Sequence, residues 1–108
     1  MQILLDECVD QRLRFHFQGH DCHTAGYAGL AGLKNGALLL AAEVAGYEAI
    51  ITTDQEIPHQ QDLRVRRIAV VVLYGPTNRL ADLTPLVPAA LRALASSVAG
   101  QVITVRLD

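Results

Sequence analysis

The run "IAVVVLY", Ile68 to Tyr74, carries no polar side chain before its terminal tyrosine, and it is rich in β-branched residues. A half-wet antiparallel strand would alternate apolar and polar positions. A continuous apolar run instead predicts a strand covered on both faces, the central position of a parallel sheet. Upstream, "EAIITT" (Glu48 to Thr53) reads the same way, and "MQILLDE" opens the chain with a shorter run, Ile3 to Leu5. "HDCHT" is a weakly written strand, and "VITV" is a last one.

Helical periodicity fills the gaps between these runs. Val9, Leu13 and Phe17 recur every fourth residue before Gly19, predicting an amphipathic helix with a glycine stop. "AGYAGLAGLKNG" holds four glycines and is expected to be a mobile loop. Asn35 suits an N-cap for the helix "ALLLAAEVAG", which should end at Gly46. Leu83, Leu86, Val87, Ala90, Leu91, Leu94 and Val98 follow helical spacing after "TP", with Gly100 as the stop. That last face suits a core or a homodimer interface equally well. Strands alternating with helices predict an α/β fold, a three-layer sandwich around a mainly parallel central sheet.

The chain has 108 residues, 51% of them hydrophobic, with a net charge of −2. A single domain over residues 1–108 follows, with enough apolar surface for a core. The mild negative charge supplies no global field toward nucleic acid or anionic membranes. Two cysteines, Cys8 and Cys22, are too few for a disulfide framework. No apolar stretch reaches the ~18–20 residues of a membrane span, and no signal-type segment opens the chain. A cytoplasmic protein with reduced thiols is the expectation.

Two of the apolar runs stop in acids: Asp6 and Glu7 after the first, Asp54 and Glu56 after the second. In open parallel sheets, ligands bind beyond the carboxyl ends of the strands, so these pairs should meet at one rim. Crowded carboxylates repel one another unless a cation joins them. A hard divalent ion, Mg²⁺ or Mn²⁺, suits oxygen ligands, keeps several waters, and can serve phosphoryl chemistry. The plainer alternative is capping, since Asp6 and Glu7 precede the first helix.

"ILLDE", "AGLKNGALLLAAEVAGYEAIITTD" and "IAVVVL", in that order, resemble the small bacterial PIN-like proteins associated with toxin–antitoxin systems. The resemblance extends through "LADLTPLVPAALRAL" and so covers most of the chain. It implies a metal-dependent endoribonuclease, with RNA as substrate and an antitoxin protein as partner. Carried over by position, Asp6 would be the central metal ligand and Asp54 the second. Glu7 and Glu56 would be supporting ligands or general bases. This chain departs where nuclease members place another acid, at the start of the helix that opens at "KNGALLL". Lys34, Asn35, Gly36 and Ala37 stand there, and Asn35 can offer a carbonyl oxygen but no charge. A catalytically degenerate module that binds a partner protein or dimerises is therefore the rival reading.

Other features carry less. A phosphoryl-accepting receiver domain also places acids after its first and third strands, but it needs a lysine after its fifth, where this chain offers Arg106. "HDCH" contains His20, Cys22 and His23, with no second cluster to complete a zinc site. "LRVRR" places Arg64, Arg66 and Arg67 between the acidic "TTDQEI" and the next strand, where arginines could hold RNA phosphates. Cys8 is expected to pack under the first helix. Aromatic residues are sparse (Phe15, Phe17, Tyr27, Tyr47, Tyr74), which predicts no stacking platform for single-stranded RNA.

Overall fold

A computed structural model of the chain describes residues 1–57 and 66–107. Among these residues, five strands form one sheet: β1 (Gln2–Leu5), β2 (Asp21–Thr24), β3 (Ala49–Thr52), β4 (Ala69–Tyr74) and β5 (Val102–Arg106). Their order is β2-β1-β3-β4-β5, and every neighbouring pair is parallel. Helices cover both faces, so the α/β architecture and the parallel sheet are as the apolar runs predict. No helix among the described residues is long and apolar enough to cross a membrane.

Alternate residues of each strand feed two cores. On one face Ile3, Leu5, Ile51, Val71 and Leu73 pack with Val9, Leu13 and Phe17. The same face takes the helices that follow β4: α2 (Leu80–Leu83), a 3-10 turn (Thr84–Leu86) and α3 (Val87–Ser96). On the other face Leu4, Ile50, Val70 and Val72 pack with Leu38, Leu39 and Ala42 of α1 (Asn35–Val44) and with Ile57. The apolar stripe from Leu83 to Leu94 is thus spent on the core. Pro85 and Pro88 explain the 3-10 turn, since neither can donate to the carbonyl four residues back.

The connection from β1 to β2 is not the expected α-helix but a six-residue 3-10 helix, Gln11–His16. Val9, Leu13 and Phe17 are buried as their spacing predicts. A 3-10 helix rises about 2.0 Å per residue, so six residues return the ~13 Å that a four-residue strand advances. The Asp10 carboxylate caps it by accepting from the Arg12 backbone N–H at 2.9 Å. The Arg12 guanidinium also bonds that carboxylate and holds it at a pKa of about 2. Helix α1 differs by one residue from expectation: Lys34, extended at φ −137°, is the N-cap, and no side chain caps it. Its end is as predicted, with Gly46 at φ +91°.

Right-handed crossovers throughout would place α2 and α3 on the face that carries α1. They lie on the opposite face, so the β4–β5 connection has the opposite hand to β1–β2 and β2–β3. That separates this fold from doubly wound proteins sharing its strand order.

Truncating Leu4, fully buried in the α1-side core, should cost about 3 kcal/mol as Leu4→Ala. Leu40→Ala on the exposed face of α1 should stay within about 0.5 kcal/mol of wild type. Urea denaturation of the two variants checks the assignment of faces.

Candidate functional site

The strand order fixes the site. Beyond β1 the chain goes to β2 on one side, while β3 lies on the other, so a crevice opens at the carboxyl ends of β1 and β3. Asp6 follows β1 directly, and its backbone N–H donates to the Ile51 carbonyl of β3 at 3.0 Å. Asp6 is only 9% exposed. A carboxylate that deep needs partners. Its Oδ1 accepts from the Glu7 backbone N–H at 2.8 Å, and its Oδ2 accepts from the Thr52 hydroxyl at 2.8 Å.

Thr52 ends β3 and is wholly buried. The same hydroxyl oxygen that donates to Asp6 accepts from the Asp54 backbone N–H at 3.0 Å. One threonine therefore joins the two acidic strand ends. Asp54, half-buried, accepts at Oδ1 from the Glu56 backbone N–H at 2.9 Å. Glu56 is exposed, and its contribution here is that backbone group.

Cys8 is exposed rather than packed under the first helix. The Thr53 hydroxyl donates to its Sγ at 3.2 Å, and Sγ lies 3.5 Å from Thr52 Oγ1. Thr52's single proton goes to Asp6, so the Cys8 thiol is the donor in that second contact. Thr53, Cys8, Thr52 and Asp6 form a chain of hydrogen bonds along the rim.

Two adjoining clefts open on these groups. One, of about 450 Å³, is lined by Asp6, Glu7, Asp54 and Thr53 together with Lys34 and Asn78. The other, of about 540 Å³, runs from Asp6 and Glu7 toward Thr24 and Gly26 and also touches Asn78. Glu7 stands between them, with its Oε1 accepting from the Gly32 backbone N–H of the glycine-rich loop at 3.0 Å. Asn78 arrives on a braced turn after β4. Thr77 bonds Asp82 through its hydroxyl and accepts from the Arg79 N–H at 3.0 Å. A Cβ at Gly75 would sit 3.2 Å from the Asp82 carbonyl oxygen, so a larger residue there would push the turn apart by a few tenths of an ångström.

The sequence-predicted residues divide accordingly. Asp6, Glu7 and Asp54 come together, Asn35 opens α1 beside Lys34, and Glu56 does not line either cleft. Arg66 and Arg67 are elsewhere. They precede β4, so they sit at the amino edge of the sheet, opposite the acids. There the Arg67 N–H donates to Glu43 at 2.8 Å and the Arg66 guanidinium lies 3.9 Å from the same carboxylate. Arg64, with His59, Gln60 and Gln61, falls outside the described residues. Thr52 and Lys34 were not singled out by sequence. Thr52 is signalled by its position, a polar residue ending a buried strand two places before an acid.

Among the described residues, no three His, Cys, Asp or Glu side chains group closely enough to hold a metal ion. "HDCH" is partitioned instead. Cys22 faces the core beside Arg14, while the His23 Nδ1 lies 2.9 Å from the Tyr47 hydroxyl. The Arg106 guanidinium lies 5.2 Å over the Tyr74 ring, not among the acids. A receiver-type cation at the end of β5 is thus turned away from them.

No protein-family model, curated protein or solved structure matches the chain.

Replacing Thr52 by Val removes the shared hydroxyl and leaves Asp6 short of a partner. A loss of about 1–3 kcal/mol in urea denaturation is expected, largely restored by Thr52→Ser. The two thiols should also separate chemically. Burial pushes Cys22 from its ordinary 9.0 to about 11, against a weaker opposing pull from Arg14. A raised thiol pKa means its stabilising contribution is complete below pH 9 and lost as pH rises toward 11. At pH 8, iodoacetamide should modify Cys8 alone in the folded protein, and Cys8→Ser should abolish that reaction.

Proposed function

We propose that the chain is a PIN-like, divalent-metal-dependent endoribonuclease, the toxin-like half of a toxin–antitoxin pair. The observation that carries the reading is one buried hydroxyl that donates to the Asp6 carboxylate and accepts from the Asp54 backbone N–H, which sets both acids on one cleft at the sheet's switch point. The toxin–antitoxin context rests on the sequence resemblance.

The donor set fits an oxygen-preferring ion of the Mg²⁺ or Mn²⁺ type. Such ions keep most of their waters and need only one or two carboxylates, with substrate phosphate completing the shell. Asp6 and Asp54 would hold the ion, with Glu7 as the third acid of the cleft. When bound, it would supply charge neutralisation at the phosphate and acidify water. The protein's own groups do the rest. The Glu7 N–H and Thr52 hydroxyl fix the Asp6 carboxylate before any ligand arrives. Lys34 places a cation on the same cleft, suited to a phosphate oxygen, and Asn78 offers an amide to it. Glu7 is also the carboxylate placed to accept a proton from attacking water, once free of Gly32.

A second reading is favoured by one specific feature. Lys34 and Asn35 stand at the start of α1, where the resembled nucleases carry a further acid, which suits a module that binds a partner protein or a second copy without cleaving RNA.

Calorimetric titration with Mn²⁺ tests the proposal first. Saturable binding by the wild type is expected. Asp6→Asn or Asp54→Asn should weaken it by no less than the 10- to 100-fold that even supporting partners cost, and RNA cleavage should disappear with it. Wild-type protein that takes up no Mn²⁺ either alone or with RNA would leave the partner-binding reading in its place.

A further inference from the structure

The sparse aromatics are not scattered in space. Tyr27, on the glycine-rich loop, lies with its ring 4.8 Å from that of His23, and its side chain is 77% exposed. The two rings meet at a tilt of 44°, so His23 braces one side of the Tyr27 ring and leaves most of the ring open to solvent. His23 is itself fixed: Tyr47 lies edge-on at 5.8 Å, with its hydroxyl 2.9 Å from His23 Nδ1. Burial, then the neighbouring Tyr27 and Cys22, hold the Tyr47 phenol above its ordinary pKa, so it keeps its proton and can donate. The loop is fastened as well, because the Tyr27 N–H donates to the Thr24 hydroxyl at 3.1 Å.

Beside this ring stands a cation. Arg14 lines the same hollow of about 350 Å³ with Cys22, His23, Thr24 and Tyr27. Its guanidinium rests on the Phe15 ring at 4.2 Å, and among the described residues no carboxylate pairs with it. Thr24 belongs both to this hollow and to the larger of the two acidic clefts, so the surface runs on from Tyr27 to Asp6.

An exposed ring braced on one side, a planar cation with no carboxylate partner among the described residues, and a hollow that adjoins the Asp6 cleft share one suitable ligand. We propose that Tyr27, Arg14 and His23 form a stacking subsite for one unpaired base of a single-stranded nucleic acid whose backbone continues into the Asp6 cleft. This rests on the nuclease reading for its direction, but its binding chemistry stands apart from any metal. Tyr27 stacks the base, Arg14 meets the adjoining phosphate, and His23 and Tyr47 keep the ring in place. The ordering of the ring is done before binding, so little conformational entropy is lost when the base arrives. Stacking of this kind tolerates any base and gives affinity without a sequence code.

The test is fluorescence anisotropy with a labelled single-stranded oligoadenylate, in EDTA so that no cleavage occurs. The wild type should bind, and Tyr27→Ala should weaken binding about tenfold, the loss of one stacked base. Tyr27→Phe should bind within about twofold of wild type, since the ring remains. Arg14→Gln should weaken binding and lower the salt dependence by about one phosphate contact. A strand of the same length with abasic sites should lose the Tyr27 effect altogether, so that wild type and Tyr27→Ala bind it equally. Tyr27 is exposed, and matching thermal unfolding of the variants confirms that they fold. Tyr27→Ala binding like wild type, equal wild-type affinity for abasic and intact strands, or no wild-type binding would each overturn the subsite. Tyr27-dependent binding without Mn²⁺ uptake or cleavage would sink the nuclease reading and leave the subsite standing. Asp6-dependent cleavage with no Tyr27 effect would do the reverse.

Discussion

The direct pairing of β1 with β3 is the constraint on which the rest depends. It sets Leu5 beside Ile51 and ties the Asp6 N–H to the carbonyl of that same Ile51. Adjacent strands are ~4.8 Å apart, close enough for one threonine hydroxyl to serve both ends. A single intervening strand would double that separation, and Thr52 could not reach Asp6. Because β2 is placed on the far side of β1, nothing intervenes. The acidic crevice is thus a consequence of strand order, and the order is secured by two apolar cores that lock the sheet from both faces.

The second consequence is a division of labour between strand ends and a long connection. Asp6 and Asp54 are carried on the ends of buried strands, where backbone and hydroxyl bonds fix them. Lys34, Gly32 and Tyr27 are carried on the long glycine-rich connection and its junction with α1. Glu7 spans the two: its N–H holds Asp6, while its carboxylate holds the loop. A side-chain substitution at Glu7 keeps that N–H but frees the loop and changes the charge of the cleft, whereas a change at Tyr27 acts on the loop surface alone. Charge in the cleft is mixed, three acids against Lys34, and that balance governs whether a cation or an anion finds it more favourable.

Much of this fold is legible in the sequence, for a simple physical reason. Strands buried on both faces need continuous apolar runs, and Ala49–Ile51 and Ile68–Leu73 supply them. Their order is not legible, because a run apolar on both faces says nothing about its neighbours. The 3-10 geometry of Gln11–His16 is hidden too, since Val9, Leu13 and Phe17 serve either helix type. The arginines illustrate a different failure. "LRVRR" lies soon after "TTDQEI" in sequence, yet the residues that open one parallel strand lie at the end of the sheet opposite those that close its neighbour. Any residue just before a parallel strand sits at its amino edge, and Arg66 and Arg67 obey that rule by meeting Glu43 at the far end of α1.

The aromatic residues carry the argument furthest from composition. Counting them argues against a stacking surface, because five in a chain of this length is few. Counting ignores where they stand. His23 lies on β2, Tyr27 just after it and Tyr47 just before β3, and β2 and β3 flank β1. The same strand order that joins Asp6 to Asp54 brings Tyr47 within reach of His23, and His23 then supports Tyr27. Acid pair and aromatic support are two products of one topology. A sequence lacking the β1–β3 adjacency would lose both together.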